Sequence, residues 1–306
     1  MRVRYYINGN NSEQALSSDS FKKYINSGPS DAFNFNNLTM AATVHIFYPD
    51  LTEEIMKRLA NIPGKIKLKV LITTDTKSKK YIIEDKMKNY NYDYKIKLFK
   101  NIGRDIAPSF IGFKDEIIQS DYMLHLHSKK SLYNSDLNKW RKDIFNKLLG
   151  NKIISKNNLN FLLQPEIGMI IPSPPVFIRP HMNWGHKQDF ILAKKLLRRS
   201  DIKISKLNPL YFPAGSMFMA KTKAIEPLIN SITINDFQKE LGQVSGTMAH
   251  AIERSFLFFC EKANLKWLVV DIDKDNQPKY LMPKYKLIKK IPITYFILNL
   301  KKRWQG

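Results

Sequence analysis

The run Tyr122-Met123-Leu124-His125-Leu126-His127-Ser128-Lys129-Lys130-Ser131 decides the fold of this chain. Its first part has the apolar composition of a buried strand, and it ends in histidines and lysines. A period of two places His125 and His127 on the same face of this strand. In open α/β sheets, ligands bind beyond the carboxyl ends of the strands, which is where this run would end. We therefore predict a ligand site at its end.

The segments on either side of this run alternate between strand and helix patterns. Ile66 to Thr73 and Phe212 to Ala220 have the composition of strands, whereas Asp105 to Gln119 and Thr247 to Ala263 have helical spacing. Such alternation is typical of βαβ units built around a parallel sheet. We therefore predict the α/β class, with a mostly parallel sheet flanked by helices.

Three regions are predicted along the chain. Residues 1–38 are polar and are expected to form an irregular lead-in. Residues 39–275 carry the alternating pattern without a low-complexity linker, which favours a single α/β domain. Residues 276–306 hold eight Lys or Arg and no acidic residue, which predicts a basic amphipathic tail. Because its apolar stretch is too short to span a bilayer, 280–306 is expected to lie on an anionic membrane surface. The alternative is a last core helix with a solvated basic face.

The composition limits the partner and the compartment. Fifty Lys and Arg against 27 Asp and Glu give the 306 residues a net charge of +23. This charge favours nucleic acid, an acidic bilayer or a phosphate-bearing substrate as partner. Nucleic acid is disfavoured, because the basic residues are spread along the whole chain. The single cysteine, Cys260, excludes an intrachain disulfide and a cysteine-rich metal site. No signal peptide or transmembrane run is recognisable, which predicts a cytoplasmic protein peripheral to the membrane.

A glycine-containing turn lies at Asn101-Ile102-Gly103-Arg104-Asp105-Ile106-Ala107-Pro108, between a strand pattern and a helix pattern. Gly103 lets the backbone approach a ligand, and the free N–H groups at a helix start suit a phosphate. Arg104 can add a bidentate contact, with Asp105 orienting it or capping the helix. The alternative is that Asp105 only caps the helix and Arg104 pairs with a surface carboxylate.

The two histidines at the strand end have two uses. As same-face imidazoles, His125 and His127 could bind a divalent metal, or together with Lys129 and Lys130 they could bind a diphosphate directly. The alternative is a pair of structural histidines beside a solvated basic turn. Two histidines with lysines attached favour the ligand site.

Two further clusters carry candidate residues. Gly215 and Ser216 lie in a run of small residues before an apolar strand, where either a ligand approaches the backbone or the chain makes a plain tight turn. His250, Glu253 and Arg254 stand at helical spacing and share one helix face. Three polar groups on an otherwise apolar helix are costly to bury unless they have partners.

Taken together, these clusters resemble the rhamnan synthesis protein F family of polysaccharide glycosyltransferases. The matching pieces keep the family order over about residues 40–260, and are Phe47–Leu51, Ala60–Pro63, Asn101–Pro108, His125–Ser131, Trp184-Gly185, Phe212–Phe218 and Gly246–Arg254. The resemblance implies transfer of a sugar, often rhamnose, from a nucleotide-diphosphate donor to a growing glycan. It also implies a GT-A-like fold and a location of the protein at the inner face of the bacterial plasma membrane.

The resemblance implies roles for individual residues. Where common GT-A members carry Asp-x-Asp for a metal, this chain has His125-Leu126-His127. Mg²⁺ prefers oxygen ligands, so we expect no metal requirement and expect cationic side chains to stabilise the leaving diphosphate. The donor-binding residues implied are Tyr48, Asn101, Gly103, Arg104, Asp105, His125, His127, Lys129 and Lys130. The acceptor-binding residues implied are Trp184, Gly215 and Ser216.

One departure from the family pattern concerns the catalytic base. An Asp commonly precedes the Gly-Thr of the last motif, and this chain has Ser245 there. An inverting transferase needs a carboxylate to take the acceptor hydroxyl proton. We place this base at Glu240, with Asp236, His250 and Glu253 as alternatives. A second interpretation of Ser245 is a catalytically silent scaffold in a polysaccharide assembly complex.

Overall fold

The computed structural model describes residues 4–5, 34–128, 130, 135–206, 210–272, 278–281 and 286–287. Its strands are β1 (Arg4–Tyr5), β2 (Thr39–His45), β3 (Lys67–Thr74), β4 (Asp93–Leu98), β5 (Tyr122–His127), β6 (Ile167–Pro172), β7 (Phe218–Lys221), β8 (Lys266–Ile272), β9 (Pro278–Leu281) and β10 (Lys286–Leu287). Its helices are α1 (Thr52–Leu59), α2 (Lys77–Met87), α3 (Ile106–Phe110), α4 (Lys114–Ile118), α5 (Ser135–Leu149), α6 (Lys152–Leu163), α7 (Lys187–Arg198), α8 (Thr222–Ser231), α9 (Met248–Glu253) and α10 (Phe256–Lys262).

The described strands form one large sheet and one small antiparallel pair, β1 with β10. The large sheet has eight strands in the order β4-β3-β2-β5-β7-β6-β8-β9. Pairing is parallel from β4 through β5 and between β6 and β8, whereas β7 and β9 run antiparallel to their neighbours. Six strands therefore point the same way. The predicted α/β class with a mostly parallel sheet between helices is confirmed.

Helices cover both faces of the sheet and produce two hydrophobic layers. Leu124 and Leu126 of β5 face the layer that contains α1, α2, α5 and α6, whereas Met123 faces the layer of α3, α4 and α7 to α10. His125 follows Met123 by two residues and packs against Phe110 of α3. The rings of His125 and His127 lie 6.5 Å apart between centroids, which agrees with the predicted shared face.

Three helices or strands are shorter in the structure than the sequence pattern predicts. The helix expected over 247–263 is divided into α9 and α10 at Ser255, whose hydroxyl donates to the carbonyl of Ala251. The helix expected over 105–119 is divided into α3 and α4. There the backbone folds back so closely that a Cβ on Gly112 would lie 2.1 Å from the Pro108 carbonyl oxygen. The strand expected from residue 212 begins only at Phe218, because Gly215 and Ser216 have left-handed φ of 87° and 60°.

The ends of the predicted domain differ slightly from the observed sheet. Phe35 lies in the predicted lead-in, yet its side chain is buried in the core. β9 lies in the predicted tail and extends the sheet beyond residue 275 by pairing with β8. Most of the lead-in and of the tail falls outside the described residues, so the three-region division stays a prediction. Within the described part of the chain, no helix is long and apolar enough to cross a membrane.

Candidate functional site

The candidate site lies at the carboxyl edge of the parallel strands. β2 and β5 pair in parallel, which places His45 opposite His127 at their ends. β3 ends beside them, with His45 opposite Thr73. The turn after β4 carries Arg104, and loops from before β7 and before α9 reach the same edge. The expected location of the histidine cluster at a strand end is therefore what the structure shows.

His125 is buried beneath the candidate site. Its side chain is fully buried, with Nε2 3.0 Å from Asp105 Oδ2 and Nδ1 3.0 Å from Thr43 Oγ1. Both ring nitrogens have protein partners, so the predicted contact of His125 with a metal or diphosphate is wrong. The structural interpretation holds for this histidine, and its physical reason is that α3 covers the strand face on which it lies.

The Asp105 side chain interacts with the histidines and not with the backbone of the helix that it precedes. It stands at the N-cap of α3, but its side chain makes no capping hydrogen bond, so the predicted capping role is not observed. Burial raises the pKa of the Asp105 carboxyl. The charge of His127, the hydrogen bond with His125 and the charge of Arg104 outweigh burial and hold this pKa well below its usual range. Asp105 therefore provides a fixed negative charge beneath the site.

His127 and Glu253 hold one peptide unit between them. His127 Nε2 donates to the Gly215 carbonyl at 2.8 Å, and the Gly215 N–H donates to Glu253 Oε1 at 2.7 Å. Gly215 has a φ of 87°, a conformation that side-chain-bearing residues rarely adopt. The structure thus joins three predicted site residues from three separate motifs, and it fixes the turn at Gly215 and Ser216 relative to the end of β5.

Arg104 is exposed, and one nitrogen of its guanidinium donates hydrogen bonds to two neighbouring groups. Nη1 donates to the Gln243 carbonyl at 3.1 Å and to His250 Nε2 at 2.6 Å. Gly103 allows this turn, since a Cβ there would lie 2.5 Å from the ring of Phe237 and its φ is 69°. Burial, followed by the charge of Arg104, lowers the pKa of His250 to about 4. A neutral His250 thereby serves Arg104 as a hydrogen-bond acceptor; the predicted surface carboxylate partner is not the one observed.

His45 is a site residue that the sequence reasoning missed. It is buried at the end of β2, with Nδ1 3.0 Å from Thr73 Oγ1. Burial lowers its pKa to about 4, and the charges of His127 and His125 act in the same direction against those of Asp105 and Asp75. The signal that could have found it is its position at the end of an apolar strand, the same signal that identified His127.

Tyr48 and Lys130 meet at the adjacent part of this edge. Lys130 Nζ lies 5.8 Å from the centre of the Tyr48 ring and 2.5 Å from Asp50 Oδ2. The Ser128 hydroxyl accepts hydrogen bonds from the backbone N–H groups of Phe47 and Tyr48 at 2.8 and 2.9 Å. The two predicted donor-binding segments are therefore joined. Lys129 lies outside the described residues.

The predicted carboxylates have different surroundings. Glu240 lies beside the arginine turn: its N–H donates to the Asn101 carbonyl at 3.3 Å, and its Oε1 accepts from the Gly242 N–H at 3.1 Å. Asp236 forms a two-point pair with Arg199 that lowers the pKa of its carboxyl. That pairing indicates a structural role for Asp236.

Asp189 is a second residue that the sequence reasoning missed, and it lies next to Ser245. It is fully buried, accepts from the Ser245 hydroxyl, and accepts from the Gly246 N–H at 2.7 Å. Arg254 Nη2 lies 3.9 Å from it. Its signal in the sequence was a carboxylate on the apolar face of an amphipathic helix, which is costly to bury without partners. Ser245, the position at which the resemblance implies a carboxylate, therefore has a structural partner in Asp189.

Trp184 lies on the Asp189 side of the site. Its ring stacks on Phe258 at 6.2 Å and meets Phe190 edge-on at 5.1 Å. Among the described residues, no group of three or more His, Cys, Asp and Glu is arranged to hold a metal ion.

Comparison with known proteins agrees with the motifs. The family described as rhamnan synthesis protein F matches residues 12–265. Two WxcX proteins from strains of Xanthomonas campestris pv. campestris are 27% identical over 241 residues, which are 77% of this chain and 33% of the relative. The chain thus spans about a third of the length of these curated relatives.

Solved structures with a similar arrangement include glycosyltransferases. S. aureus TarS 1–349 aligns with this chain at 14% sequence identity and a TM-score of 0.43. The alignment covers 80% of this chain and 60% of the TarS chain. A mannosyltransferase of Pyrobaculum calidifontis, in complex with GDP-Man and Mn²⁺, aligns with 68% of this chain and 52% of its own at 10% identity and a TM-score of 0.35. At this similarity, neither structure assigns a role to a residue of this chain.

Proposed function

Because the chain belongs to the rhamnan synthesis protein F family, we propose that it is a glycosyltransferase. It moves a sugar, rhamnose or a related hexose, from a nucleotide-diphosphate donor to a growing cell-surface polysaccharide. One observation supports this function above the others. An exposed arginine is fixed at the carboxyl edge of a parallel sheet, in a glycine turn, by a hydrogen bond with His250. Edges of this kind are where α/β sheets bind their ligands.

The donor diphosphate binds to cationic side chains in this proposal. Arg104 offers planar N–H donors for a bidentate contact with phosphate oxygens. Lys130 lies on the neighbouring loop with Tyr48, and Lys129 precedes it in the sequence. These charges stabilise the leaving diphosphate, a role that a divalent metal fills in many transferases. The donor set here is rich in nitrogen, so Mg²⁺ is not required.

Glu240 is the proposed general base. It belongs to the loop that bonds the arginine turn through Asn101, and its carboxylate is partly exposed. A carboxylate at this location can take the proton of the acceptor hydroxyl as the glycosidic bond forms, which gives inversion at the anomeric carbon. Glu253 is the alternative, because it lies beside the Gly215 turn proposed to bind the acceptor with Ser216 and Trp184.

A thermal-shift panel tests donor binding. Nucleoside diphosphates and sugar nucleotides of uridine, guanosine and thymidine are added to the full chain, because a bound donor raises the melting temperature by mass action. We expect one nucleotide series to stabilise the protein, with and without chelator. Arg104→Ala should lose this stabilisation, whereas Arg58→Ala should keep it, since Arg58 bonds Gly150 away from the site. Failure of every nucleotide to stabilise the wild type would contradict the proposal.

A second candidate function is a donor-binding scaffold without turnover. The observation that favours it is Ser245, whose hydroxyl is committed to the buried Asp189 where the family pattern has a carboxylate. The two functions predict the same donor binding but different chemistry. Transfer of a labelled sugar to a membrane fraction supports the enzyme, and binding without transfer supports the scaffold.

A further inference from the structure

The most exposed large apolar side chains of the described residues lie on loops at the carboxyl edge of the sheet. Val244 is 92% exposed, Leu241 76% and Val176 73%, ahead of all others that the structure describes. Phe177, beside Val176, is 43% exposed. Single exposed apolar residues are ordinary on protein surfaces. These four, which we call the apolar rim, come from only two loops at one edge of the sheet.

The two loops lie next to each other. The first follows β6 and leads to α7, and its His186 N–H donates to Ser245 Oγ at 3.4 Å. The second precedes α9, and its Gln243 carbonyl accepts from Arg104. Ser245 and Gln243 belong to the same loop, so this second loop contacts both the first loop and the turn that carries Arg104. The apolar rim therefore lies on two adjoining loops at the sheet edge that carries the candidate site.

The charges on these loops are mainly positive. Residues 174–187 and 238–247 contain Arg179, Lys187 and Lys239 against a single carboxylate, Glu240. Cations flanking projecting aliphatic side chains are the pattern of surfaces that enter the interface of an anionic bilayer. A fluid bilayer accepts side chains that project singly from loops, whereas a protein partner needs matching pockets for them.

We propose that the apolar rim inserts into the interfacial region of an anionic bilayer and holds the opening of the site against the membrane. This contact is separate from the basic tail, which lies at another part of the sequence. It also names the class of acceptor, a glycan carried on a membrane lipid, and that part rests on the proposed glycosyltransferase function. A lipid-linked acceptor would then reach Glu240 without leaving the membrane surface.

Vesicle sedimentation of the full chain tests the contact. The variant Val176→Ser/Leu241→Ser/Val244→Ser is compared with the matched variant Tyr81→Ser/Ile82→Ser/Ile153→Ser, whose side chains are 68%, 48% and 57% exposed on α2 and α6. On vesicles of phosphatidylcholine with phosphatidylglycerol, the rim variant should lose about tenfold or more in partitioning, from lost apolar burial. The matched variant should bind like the wild type. Equal binding of the rim variant and the wild type would overturn the proposal, as would equal binding to phosphatidylcholine alone.

A fluorescent label locates the contact. Cys260 is the chain's single cysteine and is buried, so Val244→Cys can be labelled selectively with an environment-sensitive dye. Its emission should shift to the blue with phosphatidylglycerol vesicles, whereas a label at Ile153→Cys should not shift. An unshifted emission at residue 244 in vesicle-bound protein would place the membrane contact elsewhere. We expect the rim variant to bind the donor as well as the wild type does. If the wild type itself binds no donor, that result counts only against the glycosyltransferase function.

Discussion

His250 accepts a hydrogen bond from Arg104, with 2.6 Å between Arg104 Nη1 and His250 Nε2. A guanidinium can only donate, so Nε2 carries no proton and the neutral ring is protonated at Nδ1. That nitrogen lies 2.7 Å from Thr247 Oγ1, which it can serve as a donor. The tautomer of a buried histidine therefore fixes the orientation of the arginine proposed to bind the donor.

The first prediction separates the positioning role of His250 from a purely structural one. His250→Gln retains an acceptor near the position of Nε2 and should bind the stabilising nucleotide diphosphate like the wild type. His250→Leu removes the acceptor and should weaken binding by about tenfold, the scale of one hydrogen bond to a charged group. Isothermal titration measures both. Equal weakening in the two variants, with unchanged melting temperatures, would exclude the acceptor role.

The second prediction concerns Arg104 and metal. Arg104→Ala should weaken binding of the nucleotide diphosphate by roughly 1–3 kcal/mol, because a charge-assisted contact is lost. Lys129→Ala, at a position outside the described residues, should have an effect of the same size. Chelator should leave the dissociation constant of the wild type unchanged. Abolition of binding by chelator, with no effect of either substitution, would show that a metal holds the diphosphate.

The third prediction is a loss of stability as the pH falls. His45 and His250 have pKa values lowered to about 4 by burial, whereas unfolded histidine titrates near 6.5. Between these values the unfolded chain binds protons that the folded chain does not, so the free energy of unfolding falls as the pH is lowered from about 6.5 to about 4. Each histidine contributes at most about 3 kcal/mol to this loss.

Urea unfolding at several pH values measures this loss. The double variant His45→Asn/His250→Gln is the control, and its stability should change less over the same range. An equal slope for the variant and the wild type would assign the pH dependence to other groups.

The fourth prediction identifies the general base. Glu240→Gln should lose about 10²–10⁴-fold in turnover while donor binding stays close to that of the wild type. Asp236→Asn should retain turnover apart from any loss of stability, because its carboxylate pairs with Arg199. Sugar transfer and donor titration are measured on each variant. Full activity in Glu240→Gln with loss in Glu253→Gln would move the base to Glu253, beside Gly215.

The fifth prediction concerns the turn between His127 and Glu253. Gly215→Ala adds a side chain at a φ of 87° and places its Cβ 3.1 Å from Ile144 Cδ1. We expect a loss of about 1–2 kcal/mol in unfolding free energy, the cost of a left-handed conformation for a non-glycine residue. Gly64→Ala is the matched control, since an added Cβ there meets nothing within 4 Å. Urea unfolding of both variants tests it, and equal stability would show that the turn relaxes without cost.

The sequence by itself determined the class of the fold and the sheet edge at which the candidate site residues gather. The alternation of strand and helix patterns determines the layers of the fold. The period of each pattern assigns each side chain to one face of its strand or helix. The same period placed His125 and His127 on one face of β5, as the structure has them. The ordered motifs determined the family. These features are local, and each can be read within a few residues.

Only the tertiary structure decided what each candidate side chain contacts. Periodicity assigns a face to a residue but does not say which element covers that face. His125 and His127 share a face, yet α3 covers the first and leaves the second half-buried beside Gly215. The decisive hydrogen bonds join distant positions: Arg104 and His250 lie 146 residues apart, and Ser245 and Asp189 lie 56 apart. Such pairings depend on sheet order and helix packing, which bring together segments whose local patterns are independent of one another.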